Sequence, residues 1–273
     1  MKSPMKWFGL LFTLLILAGC QTVAGKQNKN PITILMYHHF DDDEKRTNSV
    51  IMTQARFKEQ LSALNEAGYT PIRERELYDY YYNDGELPEK PVLITIDDGY
   101  MNNYELAYPV LKNLGFYATI YAITDYRGST PGYTPHFSWD VGREMYESGI
   151  IDIQSHTANA HLYIDGVKGE GPFLTTKLKD ESDEQYNERI REDLRRSKEI
   201  IEAEIGNEVY SLTYPYGAVN EKVIEIAQEV GFELMYTVNK GLNNSKSNKY
   251  KLNRINADGS FTGEQLIQEI EKY

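Results

Sequence analysis

The sequence has a single cysteine, Cys20, among its 273 residues. One cysteine excludes an internal disulfide, because that bond needs two thiols. It equally excludes the structural zinc sites that are built from several cysteine ligands. Any metal site in this chain must therefore use histidine and carboxylate ligands.

Positive charge is also scarce. The chain has 29 Lys and Arg residues against 41 Asp and Glu residues, which gives a net charge of −12. Proteins that bind nucleic acid neutralise backbone phosphates with clustered lysine and arginine side chains. The charge balance therefore predicts that nucleic acid is not a partner.

The apolar run near the start of the chain, Leu10 to Leu17, is too short to span a membrane. A hydrocarbon core of about 30 Å needs about 20 apolar residues in a helix. With Lys2 and Lys6 before it, this run is typical of an export signal over residues 1–19. The sequence that follows, ending at Cys20, resembles a bacterial lipobox, which implies a lipid on that cysteine. An uncleaved anchor with an incidental cysteine is the alternative.

A lipidated Cys20 has three consequences. Thiol catalysis is excluded, because the only sulfur nucleophile is occupied. Residues 20–30 are polar and non-periodic, which predicts a flexible tether between the membrane and a domain over residues 31–273. We therefore expect a membrane-anchored lipoprotein outside the cytoplasm, with a net charge of −14 once Lys2 and Lys6 are removed.

Residues 31–273 repeat one pattern, in which an amphipathic stretch, a glycine and a short apolar run follow one another. The glycines supply the left-handed conformation that often ends a helix. The predicted helix ends are Gly68, Gly115, Gly149, Gly206 and Gly231, and the predicted N-caps are Thr53, Ser138, Ser182, Asn220 and Thr262. Ser182 to Gln185 fits a capping box at the start of the longest helix.

Short apolar runs between these helices predict the strands. Strands that alternate with helices indicate a mainly parallel sheet, so we expect one α/β domain, either a barrel or an open sheet. In both architectures the chemistry belongs at the carboxyl ends of the strands. The predicted strands are 32–37, 92–96, 117–122, 151–153, 212–214 and 234–238.

Polar residues follow several of these strands directly. The strand that ends at Ile96 runs into Asp97, Asp98 and Gly99, for which a simple Asx turn is the alternative interpretation. The strand that ends at Ile153 leads to His156 and His161, which taken alone are more typical of a protein surface. Five residues correspond to a rotation of about 140° around a helix, so the two histidines can face one point only from a loop or an irregular helix start.

Taken together, these residues predict a metal site. Asp98, His156 and His161 offer one carboxylate and two imidazoles and leave a position open, as a catalytic divalent metal requires. Asp97 would lie beside the metal-bound water as a base. The Tyr214-to-Gly217 turn would present backbone N–H groups at the same end of the sheet, where His38 and His39 also follow a strand.

These motifs resemble the NodB-homology polysaccharide deacetylases, carbohydrate esterase family 4. The resemblance covers residues 31–260 and implies an irregular (β/α) barrel. It also implies metal-dependent removal of N-acetyl groups from the hexosamines of a glycan. By this resemblance, Asp97 would be the general base, and Asp98, His156 and His161 would hold the metal. The Tyr216 N–H would belong to the oxyanion hole. The metal lowers the pKa of its water from about 15.7 towards 7.

The chain departs from the common family pattern in three places. Its histidines are five residues apart rather than four, Thr213 stands where an arginine is usual, and no histidine follows His161. All three departures resemble the branch that deacetylates poly-β-1,6-N-acetylglucosamine, which implies that His38 is the general acid. Arg254 would replace the missing arginine beside Asp97, with a salt bridge beside a helix as the alternative. His39 is interpreted as a neighbouring residue.

Other functions remain open at this level. Two histidines and a carboxylate also form the site of non-haem iron oxygenases, and a non-catalytic sugar-binding lipoprotein would share the same scaffold. Hydrolysis by a Ser-His-Asp triad has less support from the sequence, because no Gly-x-Ser-x-Gly motif occurs. The ligands suit zinc, and also cobalt, nickel or iron. We expect a monomer whose partner is a polysaccharide, either biofilm polymer, peptidoglycan or another N-acetylhexosamine glycan. The segment 165–179 either shapes the substrate groove or is a plain surface loop.

Overall fold

A computed structural model describes residues 30–273 of the chain. The predicted export signal, Cys20 and nearly all of the predicted tether lie outside the described residues. Within 30–273, none of the helices combines the length and the apolar character needed to cross a membrane.

Most of the strands belong to one parallel sheet, and the remaining ones form two small pairs. The strands are β1 (Thr33–Tyr37), β2 (His39–Asp41), β3 (Ile51–Thr53), β4 (Thr70–Pro71), β5 (Pro91–Ile96), β6 (Ala118–Ala122), β7 (Ile151–Ser155), β8 (Tyr163–Gly166), β9 (Gly169–Pro172), β10 (Ser211–Thr213), β11 (Leu234–Tyr236) and β12 (Ile255–Asn256).

The main sheet runs in the order β11-β10-β7-β6-β5-β1-β12, and β4 also pairs with β5. Its strand pairs are parallel throughout. Leu252, just before β12, forms a parallel bridge with Tyr236 of β11, so the curled sheet nearly closes on itself. The predicted single α/β domain and its irregular barrel are confirmed. Because the strands are parallel, their carboxyl ends meet at one rim.

The helices pack around the outside of this sheet, apart from α2. They are α1 (Gln54–Glu66), α2 (Glu74–Tyr82), α3 (Tyr108–Leu114), α4 (Trp139–Glu147), α5 (Asp183–Ile205), α6 (Glu221–Val230) and α7 (Gly263–Ile270). Each predicted N-cap side chain accepts a hydrogen bond from the backbone three residues later, which confirms Thr53, Ser138, Ser182, Asn220 and Thr262. Helices α3, α5 and α6 end at Gly115, Gly206 and Gly231 in the left-handed conformation.

The sequence pattern missed α2. Arg73 occupies its N-cap position and offers no side-chain acceptor for the first turn, and instead Glu76 accepts the Arg73 N–H at 2.7 Å. Leu77 of this helix packs with the apolar residues that fill the inside of the barrel, among them Leu93 and Tyr236. Helix α2 therefore contributes to the inner core, whereas the other helices cover the outside.

Strand alternation separates the two cores and sets up the functional rim. On β5, Val92, Ile94 and Ile96 pack outward beneath the helices, whereas Leu93 points into the barrel. This alternation of period two continues into the residue after β5, so Asp97 points inward at the carboxyl end of the strand. Asp97 is therefore the first residue after β5 that faces the carboxyl rim of the barrel.

Candidate metal centre

Three side chains from two different loops meet at the carboxyl rim. Asp98 Oδ1 lies 3.5 Å from His156 Nε2 and 3.4 Å from His161 Nε2. One ligand atom from each residue lies within 4.8 Å of the other two, and residues 30–273 contain no second such group of histidine, cysteine and carboxylate side chains. The structure therefore brings the three predicted ligands together around one point.

The side chains at this point fit a divalent cation. Asp98 is 5% exposed, and its Oδ1 atom is buried without a hydrogen-bond partner among the described residues. A buried carboxylate oxygen without a partner is unfavourable, and a cation between it and the two imidazoles removes that cost. Two nitrogen ligands and one oxygen ligand suit zinc and several other divalent metals.

Each histidine is oriented by a second contact on its other ring nitrogen. His156 Nδ1 lies 2.9 Å from the Thr213 carbonyl oxygen and 2.5 Å from the Thr213 hydroxyl. A proton on Nδ1 that is donated to the carbonyl leaves Nε2 free to bind metal. Burial lowers the pKa of His156 to about 4, so the ring is neutral at pH 7. His161 Nδ1 lies 3.2 Å from the Tyr216 hydroxyl.

The five-residue spacing of the histidines is accommodated by a loop, as predicted. Asp193 of α5 accepts hydrogen bonds from the backbone N–H groups of Ala158 at 3.1 Å and Asn159 at 2.8 Å. Thr157 has a φ of 75°, which only glycine adopts easily. The loop is thus held in an irregular path by a carboxylate of the neighbouring helix, and this path directs both rings to Asp98.

Asp97 forms a buried ion pair with Arg254. The guanidinium donates to both carboxylate oxygens, at 2.8 and 2.7 Å, and Arg254 is fully buried just before β12. Its Nε also donates to the Thr237 carbonyl at 2.9 Å. Burial by itself raises the pKa of a carboxyl group, but the charge and hydrogen bonds of Arg254 hold the pKa of Asp97 well below its usual range. Arg254 therefore occupies the place beside Asp97 that the sequence suggested, rather than a salt bridge beside a helix.

His38 lies at the same rim beside Asp97, whereas His39 contacts Asn102. His38 Nε2 is 3.9 Å from Asp97 Oδ2, and its Nδ1 is buried with no hydrogen-bond partner in the described chain. His39 Nε2 instead lies 3.2 Å from the Asn102 side-chain nitrogen. His39 is not part of the three-ligand group.

Tyr216 stands at the edge of the metal centre in a strained conformation. Its φ is 59°, and its half-exposed ring lies 4.5 Å from the His161 ring and 4.8 Å from the Tyr163 ring. Tyr163 begins the hairpin formed by β8 and β9, which contains the first part of the segment 165–179. The hairpin therefore adds an exposed aromatic side chain to the rim. Trp139, the first residue of α4, packs against the outer core instead.

Arg127 supports the site and was missed by the sequence reasoning. Its guanidinium donates to the carbonyl oxygens of Asp98 at 2.8 Å and Gly99 at 2.6 Å. Gly99 has a φ of 74°, and a Cβ on it would lie 2.4 Å from Arg127 Nη1. Arg127, 28 residues after Gly99, thus holds the turn that presents Asp98. In the sequence, Gly99 is the one sign of such a close approach.

The incomplete parallel barrel and the three-ligand group at its carboxyl rim define an α/β protein with a candidate metal centre. Residues 84–235 match the family model described as polysaccharide deacetylase. This range is more than half of the chain, which therefore belongs to the polysaccharide deacetylase family of amide hydrolases. The family assignment does not support the iron-oxygenase alternative.

Individual relatives agree with this assignment. YxkH of Bacillus subtilis (strain 168), named for the same family, is 29% identical over 88% of this chain and 76% of its own length. A poly-β-1,6-N-acetyl-D-glucosamine N-deacetylase of Staphylococcus epidermidis is 26% identical over 91% of this chain and 86% of its own. The Escherichia coli (strain K12) enzyme of that name is 24% identical over 79% of this chain, which matches only 35% of the enzyme's length.

The fold also matches solved structures. A de-N-acetylase from Aggregatibacter actinomycetemcomitans superposes with a TM-score of 0.80 at 23% identity, covering 88% of this chain and 100% of that one. At this identity the likeness concerns the fold, and it agrees with the curled parallel sheet described above.

Proposed function

We propose that this protein removes N-acetyl groups from a poly-β-1,6-N-acetylglucosamine-like polysaccharide by metal-dependent hydrolysis. The observation that carries the proposal is the convergence of Asp98, His156 and His161 around one point with the Asp97–Arg254 pair beside it. The choice of polymer is supported by the names of the Staphylococcus epidermidis and Escherichia coli relatives.

Asp98, His156 and His161 would hold a divalent cation, which would supply Lewis acidity and lower the pKa of a bound water. Asp97 accepts a proton at its carboxylate when water attacks the acetyl carbonyl carbon. Arg254 holds the pKa of Asp97 low and so keeps it ionised, which leaves its carboxylate free to accept that proton. Arg254 also fixes the carboxylate plane with two hydrogen bonds, so that Asp97 is oriented before substrate arrives.

His38 and Tyr216 complete the proposed machinery. His38 donates a proton to the departing nitrogen, since an amine leaves poorly unless it is protonated. The backbone N–H of Tyr216 stabilises the negative charge that develops on the carbonyl oxygen. Loss of one such donor typically costs about 10² to 10³ in rate.

The deciding experiment measures acetate and free amine released from purified poly-β-1,6-N-acetylglucosamine, peptidoglycan and chitin oligomers. We expect equal amounts of both products from the first polymer, with or without oxygen, and none after chelation. Asp98→Ala should lose metal and activity, whereas Asp97→Asn should keep metal and lose turnover. Asp42→Ala, which changes an exposed aspartate, is the matched control. Substantial activity in the chelated protein or in Asp98→Ala would refute the mechanism.

The metal is proposed to be zinc, since two imidazoles and one carboxylate with an open position are common zinc ligands. Cobalt, nickel and iron accept the same ligand set. Metal analysis of the protein as purified, followed by reconstitution of the chelated protein with each ion, separates these alternatives. Activity restored by iron alone would contradict the zinc assignment.

We further propose that the mature protein begins at Cys20 and is held outside the cytoplasm by a lipid on that residue. The export signal and the small residues before Cys20 support this location. Mass spectrometry of the membrane-extracted protein should show a diacyl- or triacylglyceryl mass on an N-terminal Cys20. Release of Cys20→Ala into the soluble fraction would agree, and an unmodified Cys20 in an uncleaved chain would contradict the proposal.

A further inference from the structure

His38, the general acid of the proposed reaction, lies between two sheets. The residue before it ends β1 of the main sheet, and the residue after it begins β2, which pairs with β3. Its ring lies beside Asp97, whose Oδ2 atom is 3.9 Å from the His38 Nε2 atom. At this distance the two side chains form no hydrogen bond, so the position of His38 depends on other contacts.

The ring of His38 lacks the support that both histidines of the metal centre have. The Nδ1 atom of His156 contacts Thr213, and the Nδ1 atom of His161 lies 3.2 Å from the Tyr216 hydroxyl. The Nδ1 atom of His38 is buried and has no hydrogen-bond partner in the described chain. The orientation of the His38 ring is therefore set through its backbone and not through its second nitrogen.

Asn103 contacts that backbone from a distant part of the chain. Its side-chain nitrogen donates a hydrogen bond to the His38 carbonyl oxygen at 2.8 Å, across 65 residues. Asn103 is fully buried, and burial of an amide side chain is unfavourable unless the amide forms hydrogen bonds. The bond to His38 satisfies the nitrogen, whereas the Oδ1 atom is buried without a partner among the described residues. The burial of Asn103 is thus only partly compensated, which is typical of a residue that serves a site more than it serves stability.

The backbone at Asn103 is irregular. Asn103–Ala107 forms a π-helical turn directly before α3, and turns of this kind are rare and frequently occur at functional sites. The turn follows Asp97 and Asp98 closely in the sequence, and the Asn103 N–H donates to the Tyr100 carbonyl at 3.1 Å. The short segment that carries the proposed base and one metal ligand therefore also carries the contact to the proposed acid.

The neighbouring Asn102 makes different contacts. Its Oδ1 atom accepts a hydrogen bond from the Phe40 N–H at 3.2 Å, and its Nδ2 atom lies 3.2 Å from His39 Nε2. Two adjacent asparagines thus contact the strand that follows His38 and His38 itself, and Asn103 is the one bonded to the histidine beside the base. Asn102 is therefore a matched control for Asn103.

We propose that Asn103 is a positioning residue for His38. By holding the His38 carbonyl, it keeps the imidazole Nε2 directed towards Asp97 and the amide nitrogen of the substrate. This inference rests on the proposed function, because it takes His38 as the general acid. Among the described residues, the hydrogen bonds of Asn103 reach none of the three metal ligands. Its loss should therefore impair proton donation and leave metal binding intact.

The test compares two substrates of the metal-loaded protein, poly-β-1,6-N-acetylglucosamine and para-nitrophenyl acetate. The ester needs no acid, because its leaving group departs as a stable anion. Asn103→Ala should lower kcat on the polymer by about 10- to 100-fold, which is part of what general acid catalysis contributes. Its activity on the ester and its metal content should match the wild type. Asn102→Ala should keep the wild-type ratio of polymer to ester activity.

A double-mutant cycle with His38→Ala shows whether Asn103 acts through the histidine. The double variant should be no slower on the polymer than His38→Ala alone, since the two residues would act as one unit. Ester activity reports the folded, metal-loaded fraction of each sample, and Asn103→Ser is a milder variant should Asn103→Ala fold poorly. Additive losses, or equal losses on polymer and ester, would overturn this inference alone. Absence of acetate release by the wild type from any glycan would overturn the proposed function as well.

Discussion

Two carboxyl groups lie buried inside the same barrel, and their environments differ in one respect. Asp97, at the carboxyl rim, is 2% exposed and carries two hydrogen bonds from the Arg254 guanidinium. Glu74, towards the amino-terminal end, is 1% exposed and carries hydrogen bonds from two tyrosine hydroxyls. Burial therefore acts on both, but only Asp97 has a cationic partner.

The difference in partner reverses the direction of the pKa shift. The pKa of Asp97 lies below its usual range, because Arg254 outweighs the effect of burial. Burial raises the pKa of Glu74 to about 7, since the hydrogen bonds from Tyr121 and Tyr236 only partly oppose it. Asp97 is thus ionised at neutral pH, whereas Glu74 is poised between its two protonation states.

Replacement of Arg254 should have the largest effect on the difference between the two carboxyl groups. Arg254→Met leaves Asp97 buried without a partner, and loss of one member of a buried pair typically costs about 3–5 kcal/mol of unfolding free energy. Asp97 would then take up a proton, and deacetylation should fall by about 10² or more. Urea denaturation and acetate release measure the two effects. Arg254→Lys, which keeps the charge without the two-pronged geometry, should recover part of both, and a fully active Arg254→Met would contradict the role of the pair.

The next largest effect is on the pH dependence of the free energy of unfolding, to which the two carboxyl groups contribute in opposite directions. Because the folded-state pKa of Glu74 is raised, its favourable contribution is complete below its unfolded pKa and is lost as pH rises through about 7. Asp97 acts in the opposite direction, since its contribution is complete above its unfolded pKa and is lost in acid. Glu74→Gln should therefore gain stability relative to wild type between pH 5 and pH 8, by up to about 3 kcal/mol. Chemical denaturation at both pH values measures it, and a constant difference would show that Glu74 does not titrate there.

A smaller effect should come from the contacts that orient the metal ligands. Among the described residues, the surroundings of Glu74 include no such ligand group. Thr213→Val removes the hydroxyl that contacts His156 Nδ1 and keeps the backbone carbonyl. Metal affinity should fall by about tenfold, as is usual when a contact behind a ligating histidine is lost. Competition with a chelating dye measures the affinity. Thr213→Ser should behave as wild type, and equal affinity in all three proteins would mean that the carbonyl alone orients the ring.

The smallest expected effect is at the exposed edge of the rim. Tyr163→Ala removes the aromatic ring that contacts Tyr216 from the β8–β9 hairpin. If this ring stacks on a sugar, KM for the polymer should rise by about three- to fivefold with kcat nearly unchanged, a loss of about 1 kcal/mol. Tyr163→Phe should retain the wild-type KM. A fall in kcat alone would indicate that the hairpin supports the metal centre instead of the substrate.

Local sequence signals were enough for most of the fold. The N-cap side chains, the glycines after helices and the apolar runs act within a few residues, so Ser182 and Gly206 mark both ends of α5 directly. The same logic failed for α2, whose first turn has no N-cap acceptor and which is held by packing inside the barrel. It also missed the β8–β9 hairpin, where a glycine-rich stretch was open to two interpretations.

The candidate site divides in the same way. The side chains that chemistry requires follow strands directly, so Asp97, Asp98, His156 and His161 were recognisable from type and position. Their supporting contacts come from distant parts of the chain: Thr213 behind His156, Arg127 beneath Gly99, and Asp193 under the histidine loop. No spacing rule links these pairs, because their contact exists only after the sheet has curled.

By itself, then, the sequence determined the alternation of strands and helices, the acidic charge and the residues able to bind a metal. Tertiary structure alone decided the protonation of the two buried carboxyl groups. A pKa depends on which charges lie within a few ångströms and how much water remains, and the chain order of Glu74, Asp97 and Arg254 specifies neither. The closing of the barrel gave Asp97 a cation and left Glu74 with tyrosines.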